Sequence, residues 1–212
     1  YTSQIRIKQK HRKLENELYA AEKMMSAASM SGLMKYDGDS VKMAQKDLMF
    51  CEFHDILPGS SIQAAEEDAI RMLDHGLEIT SRLKASAFFR MLKGQKKAEE
   101  RTLPIFVYNP HPWTVEDVFT CEYMNEFNDT KQKFSVPHMK SNGMVVECQD
   151  EREASGLSAY DWRKRVVFNG KLEPSSMNRF DLTLEALDEK PKLPAYEKDG
   201  LINVRTEDLD IS

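Results

Sequence analysis

No stretch of about 18 consecutive apolar residues occurs in this chain, so no membrane-spanning helix is expected from it. Cysteine is scarce as well. Cys51, Cys121 and Cys148 are odd in number, far apart and form no CxxC pair, which argues against a disulfide framework and against a thiolate zinc site. A reducing compartment, taken as the cytoplasm, is the expected location. An excess of positive charge is missing too: 30 Lys and Arg stand against 35 Asp and Glu, for a net charge of -5. Without a positive field to gather phosphates, neither nucleic acid nor an anionic membrane surface is an expected partner. Nine glycines and eight prolines are too few for a collagen-like or low-complexity chain, and no internal repeat is visible. The first residue is Tyr1 rather than Met, so a leader removed upstream would not be seen, and the expectation is a piece of a longer polypeptide.

What is present is an ordinary globular composition, 41% hydrophobic and 31% charged over 212 residues, long enough for one large domain or two small ones. Proline distribution decides for two. Residues 1–100 hold only Pro58, whereas Pro104, Pro110, Pro112, Pro137, Pro174, Pro191 and Pro194 all follow, and helix interiors exclude proline. Eight of the 12 methionines lie in the first part and 12 of the 19 aromatics in the second, matching a helical module at 1–100 and a strand-rich module at 101–212.

Leu14, Leu18, Ala21, Met25 and Ala28 recur at steps of three and four, which predicts a helix from about residue 3 to 30. The Asp37-Gly38-Asp39 turn, with Asp39 or Ser40 as cap, opens a second helix through Val41, Ala44, Leu48 and Met49 that ends near Phe53. A capping box at Ser60-Ser61-Ile62-Gln63 is expected to start a third, through Ile62, Ala65, Ala69, Leu73, Gly76, Leu83, Ala87 and Met91. Three helices with short connections make an antiparallel bundle. Strand patterns follow at Leu103–Tyr108, Thr114–Tyr123, Lys133–Val136, Met144–Cys148, Trp162–Phe168, Arg179–Leu187 and Leu201–Arg205. The expected class is therefore α+β, a three-helix bundle followed by an antiparallel, sandwich-like β region, with Trp113 and Trp162 in the sandwich core.

Most ionisable residues read as structural or solvated: His11 in a basic stretch, His75 beside Asp74, His111 between two prolines. The segment Phe53-His54-Asp55-Ile56-Leu57-Pro58-Gly59-Ser60-Ser61-Ile62 stands apart, because it sets His and Asp side by side in the connection between two helices. A neutral imidazole is a good zinc ligand, and a carboxylate either binds metal or accepts hydrogen bonds from sugar hydroxyls. Read from the residues alone, the pair is better described as a local turn, with Asp55 as a turn or capping group and His54 packed against it.

That ten-residue segment resembles the start of the third bundle helix in the middle domain of bacterial glycoside hydrolase family 38, the class II α-mannosidases. Tyr1-Thr2-Ser3, Lys8, Arg12, Glu15, Leu18 and Ala21-Glu22 resemble that family's first bundle helix, and Phe106-Val107-Tyr108-Asn109-Pro110 with Trp113 its first β-region strand and turn. The resemblance covers residues 1 to about 115. It implies a retaining, metal-dependent exo-α-mannosidase acting on terminal α-mannosides, with zinc as the usual metal, His54 as one metal ligand and Asp55 as a carboxylate that binds mannose hydroxyls. It also implies that the remaining ligands, the nucleophile and the acid/base lie in an N-terminal catalytic domain that nothing in residues 1–212 matches. No His-x-Asp triplet occurs, so no catalytic residue is assigned within this chain. The 212 residues are expected to be inactive alone and to bind zinc weakly. The alternative is a non-enzymatic carbohydrate-binding or protein-interaction module with Trp113 or Trp162 as its platform. Oligomeric state is left open.

Overall fold

The computed structural model describes residues 3–124, 134–152 and 163–189, with the backbone of three short strand segments beyond them. Three helices come first: α1 (Ile5–Met30), α2 (Gly38–Phe50) and α3 (Gln63–Met91). Their buried faces are those the periodicity picks out. Leu14, Ala21, Met25 and Ala28 of α1, Val41 and Ala44 of α2, and Ala69, Leu73, Leu83 and Ala87 of α3 are all almost fully enclosed. Each large side chain so enclosed contributes about 1.5–3 kcal/mol relative to exposure. Met49 and Ile62 depart from the expectation. Both are solvent-exposed, at 66% and 75%, because they sit where α2 ends and before α3 begins, outside the turns that face the core.

The α1 and α3 helices run side by side in the same direction, with α2 antiparallel to both. Lys10 pairs with Asp74, Glu17 with Lys84, and Arg90 donates to the Leu33 carbonyl just past the end of α1. Gly76 sets the closest approach: a Cβ there would lie 2.6 Å from Leu14 Cδ2. Asp47 of α2, buried at 9% exposure, accepts from His75 of α3 at 2.7 Å, so His75 ties two helices together rather than pairing with its neighbour Asp74.

The caps differ from the expected ones. Asp37, not Asp39 or Ser40, caps α2, its carboxylate accepting from the Ser40 amide at 3.1 Å and the Ser40 hydroxyl at 2.7 Å. These hydrogen bonds hold the Asp37 carboxyl below its usual range. No capping box forms at α3. Ile62 takes the N-cap position without a side-chain bond, while Ser60, Ser61 and Gln63 are used elsewhere, Gln63 donating to Glu67.

The β region contains β1 (Thr102–Asn109), β2 (Val115–Met124), β3 (Phe134–Ser141), β4 (Met144–Val146), β5 (Cys148–Arg152), β6 (Arg163–Leu172), β7 (Ser176–Leu187), β8 (Ala195–Lys198), β9 (Leu201–Arg205) and β10 (Asp210–Ile211). They form sheets ordered β1-β7-β3-β4, β2-β6-β5 and β10-β9-β8. Pairing is antiparallel, for example Met139 opposite Leu182 and Asp150 opposite Val166. Alternation along β6 buries Val166 and Phe168, and along β7 Phe180 and Leu182. Phe168 of β6 and Phe180 of β7 meet at 4.8 Å between ring centres, a contact between the second sheet and the first. The α+β class and the bundle-then-sheet organisation are as the sequence predicts; the strand expected at Met144–Cys148 breaks at Glu147 into β4 and β5, and β5, β8 and β10 carry too little pattern to be read from it.

The chain divides into two compact units. One comprises residues 1–97, 106–115 and 171–178; the other comprises 98–105, 116–170 and 179–212. In the first, Tyr108 packs against the helical core. Asn109, 1% exposed, then holds three backbone carbonyls with one amide: Trp113 at 2.9 Å, Glu173 at 3.2 Å and Leu172 at 3.3 Å. No helix among the described residues is long and apolar enough to cross a membrane.

Candidate functional site

The Phe53–Ile62 connection is anchored from both sides. Ile56 is buried at 7% exposure and Cys51, just before it, at 0%, so the connection is pegged into the bundle core. The start of α1 clamps its far half. Gln4 donates to the Ser61 carbonyl at 2.8 Å and accepts from the Ser61 hydroxyl at 3.1 Å, and Lys8 Nζ bridges the carbonyls of Ser3 at 2.6 Å and Pro58 at 3.0 Å. Gly59 has φ +83°, and a Cβ there would stand 2.6 Å from the Ser3 carbonyl oxygen, so only glycine fits both the left-handed backbone and the close approach.

This anchoring presents His54 and Asp55 outward. The His54 side chain is 78% exposed and Asp55 54%, with Nε2 and Oδ2 3.3 Å apart. Phe53 leans on the imidazole at 4.2 Å between ring centres. Asp55 also accepts from the Ser60 hydroxyl at 3.2 Å, and its carbonyl accepts from the Ser60 amide at 3.2 Å. The turn role and the exposed carboxylate therefore coexist, since the Ser60 hydroxyl engages only Oδ1. His54 is not packed away.

Among the described residues no three His, Cys, Asp or Glu side chains gather in a way that would hold a metal. The donor set at this end of the bundle is an imidazole and a carboxylate, which suits one or two positions in a coordination shell whose other ligands come from elsewhere, and does not suit a complete site. Close to the pair in sequence lie exposed apolar side chains, Met49, Phe50, Phe53 and Ile62, all at least half exposed, with Phe53 touching the imidazole. The signal that could have marked them is in the sequence: Met49, Phe50 and Phe53 break the three-four spacing that Val41, Ala44 and Leu48 keep.

Cys51 lies beneath this connection, its thiol directed at the Ala69 carbonyl at 3.6 Å. Burial, and secondarily the Asp47 charge, push it up to about 11, so it is a thiol and not a nucleophile at neutral pH. Trp113 is 57% exposed, not a sandwich-core residue, because the Asn109 clamp turns its loop outward. Trp162 lies outside the described residues.

Residues 1–91 match the family model described as the alpha mannosidase middle domain. Among curated proteins, the chain is similar to Alpha-mannosidase G of Dictyostelium discoideum, 35% identical over 72 residues, which is 34% of this chain and 6% of that protein. Among solved structures it resembles an alpha-mannosidase from Enterococcus faecalis V583, with a TM-score of 0.60 and 16% identity over 93% of this chain and 26% of that one. It also resembles a protein in glycosyl hydrolase family 38 from Enterococcus faecalis, with a TM-score of 0.62 and 14% identity over 93% of this chain and 27% of the other. At those identities the structural likeness speaks for the fold, and this chain spans roughly a quarter of each solved relative.

Proposed function

Because residues 1–91 match the alpha mannosidase middle-domain family model, we propose that the chain forms part of a retaining exo-α-mannosidase, a glycoside hydrolase of family 38 acting on terminal α-mannosides. In this reading His54 supplies one ligand to a divalent metal, zinc by preference for an imidazole donor, and Asp55 accepts hydrogen bonds from mannose hydroxyls. The observation that carries it is the outward-facing His54–Asp55 pair on a connection clamped by Gln4, Lys8 and buried Ile56. Exposed metal ligands and sugar-binding groups are useful only if their backbone is fixed before the ligand arrives, and that clamp fixes it.

When bound, the metal would act as a template and Lewis acid toward ring hydroxyls. This chain's own contribution is positioning. Phe53 contacts His54 with its ring tilted by 48°, which restricts the imidazole, and the Ser60 hydroxyl holds Asp55 Oδ1 and leaves Oδ2 turned toward the imidazole. The nucleophile and the acid/base, two carboxyl groups about 5 Å apart in a retaining enzyme, belong in this reading to an N-terminal catalytic domain. That domain would cover Met49, Phe50, Phe53 and Ile62, whose combined exposure suits an interdomain surface better than open solvent. A cytoplasmic location fits the three free cysteines.

The test uses the full-length protein on a chromogenic α-mannoside. His54→Ala is expected to lower turnover about 100-fold or more and to weaken metal retention, since losing only an outer-shell partner of a ligand already costs about 10–100-fold. Chelation should do the same, with zinc restoring activity to the parent and not to the variant. Full activity in His54→Ala, or activity indifferent to chelator, would overturn the reading.

A further inference from the structure

A second aromatic feature lies within the first compact unit, away from the His54 connection in sequence. Tyr19 of α1, His111 and Trp113 form a ladder of stacked rings: Tyr19 to His111 at 5.6 Å and 28°, His111 to Trp113 at 4.7 Å and 20°. Lys23 Nζ sits 5.5 Å from the Tyr19 ring at the other end of the ladder. The loop that carries it is held at several points. Asn109 donates to the Trp113 carbonyl and accepts from the His111 amide at 3.0 Å, and the Ser175 amide and hydroxyl both donate to the His111 carbonyl, at 2.9 and 3.3 Å. Ser175 adopts a left-handed backbone, φ +48°, to do so.

His111 covers one face of the Trp113 indole, and 57% of the residue remains in solvent. An exposed tryptophan is unremarkable when it is loosely held. Here several hydrogen bonds and two stacking contacts fix a flat face toward water, which is the preorganisation a weak stacking ligand needs. Its surroundings choose the ligand class. Tyr19, the other exposed ring of the ladder, is 37% exposed, so the ladder is a narrow strip of rings with Lys23 at its end and not the broad apolar centre of a protein interface. The net charge of -5 disfavours a nucleic-acid base. The Asn109 side-chain amide joins the Trp113 and Glu173 backbone carbonyls, which fixes the loop that carries the indole. A narrow, rigid aromatic face suits a pyranose, which offers an apolar C–H face for stacking.

We propose that Trp113, backed by His111 and Tyr19, is a non-catalytic binding position for a sugar unit of a mannose-containing glycan. That the glycan contains mannose rests on the function proposed above; that the ligand is a saccharide rests on the platform alone. Binding of mannotetraose to the 212-residue chain, measured by calorimetry, tests it. Saturable binding is expected, weakened about tenfold or more by Trp113→Ala and by Trp113→Leu, and by no more than about threefold by Trp113→Phe, which keeps a stacking ring. Helical circular dichroism equal to that of the parent shows that each variant is folded, and the leucine variant serves if the alanine variant is not. No binding, or binding that Trp113→Ala and Trp113→Leu leave unchanged, overturns the proposal. Its failure with His54-dependent hydrolysis intact removes the platform only; binding of a glucan or galactan oligosaccharide at Trp113 in place of mannotetraose removes the mannose assignment and keeps the platform.

Discussion

Replacing Gly59 with alanine tests whether the His54–Asp55 connection is clamped as described. Two costs arise together. A left-handed backbone costs a residue with a Cβ about 1–2 kcal/mol. The new Cβ would also lie 2.6 Å from the Ser3 carbonyl oxygen and 2.9 Å from its carbon, and because these are backbone atoms the N-terminal turn itself must move. That movement weakens the Lys8 bond to the Ser3 carbonyl and the reciprocal Gln4–Ser61 pair, each worth about 0.5–1.5 kcal/mol. The expected loss is about 2–4 kcal/mol. Gly32→Ala supplies the control, since Gly32 has φ +69° and nothing within 4 Å of its would-be Cβ, so it carries the backbone cost alone, about 1–2 kcal/mol. Urea denaturation followed by helical circular dichroism reads both, because the helices belong to one compact unit. Equal losses in the two variants, or a Gly59→Ala loss below about 1 kcal/mol, would refute the clamp.

Other consequences are accessible to the same methods. Asn109→Ala removes the donor shared by the Trp113, Leu172 and Glu173 carbonyls and is expected to cost about 2–4 kcal/mol, with a red shift of tryptophan emission as the loop loosens. Cys51 has a folded-state value of about 11 against 9.0 ordinarily, so its contribution to stability is complete below pH 9 and is lost as pH rises toward 11. Cys51→Ala should flatten that part of an alkaline denaturation profile, and the native Cys51 thiol should resist alkylation at pH 8 until urea unfolds the bundle. Leu14→Ala opens a cavity beside Gly76 and should cost about 2–5 kcal/mol by denaturation. Zinc titrated into the isolated chain is expected to bind weakly, and tight one-to-one binding by calorimetry would mean that ligands other than His54 and Asp55 complete a site here.

The bundle was legible because its signal is local. Leu14, Leu18, Ala21, Met25 and Ala28 announce their common face by spacing alone, and all five are buried. Side-chain chemistry that depends on distant partners was not legible. Ser60 and Ser61 have the composition of a helix cap, yet Asp55 and Gln4 claim their hydroxyls, and nothing within four residues of Ser61 reveals Gln4. Trp113 has the composition of a core residue, and only the convergence of Asn109 with residues 172 and 173 turns it to solvent. The His54–Asp55 pair was visible as a motif; its exposure was not, because it follows from how Ile56, Gln4 and Lys8 seat the connection.

The first compact unit recruits residues 106–115 and 171–178 in addition to its helices. During synthesis its helices leave the ribosome long before its last members do. At roughly 5–20 residues per second, the stretch from Lys97 to Asn178 takes several seconds to emerge. Throughout that interval Asn109 has no Leu172 or Glu173 carbonyl to hold, and His111 no Ser175. A nascent chain arrested before Leu172 should therefore hold its Trp113 loop by local contacts only, Asn109 to the Trp113 carbonyl and to the His111 amide.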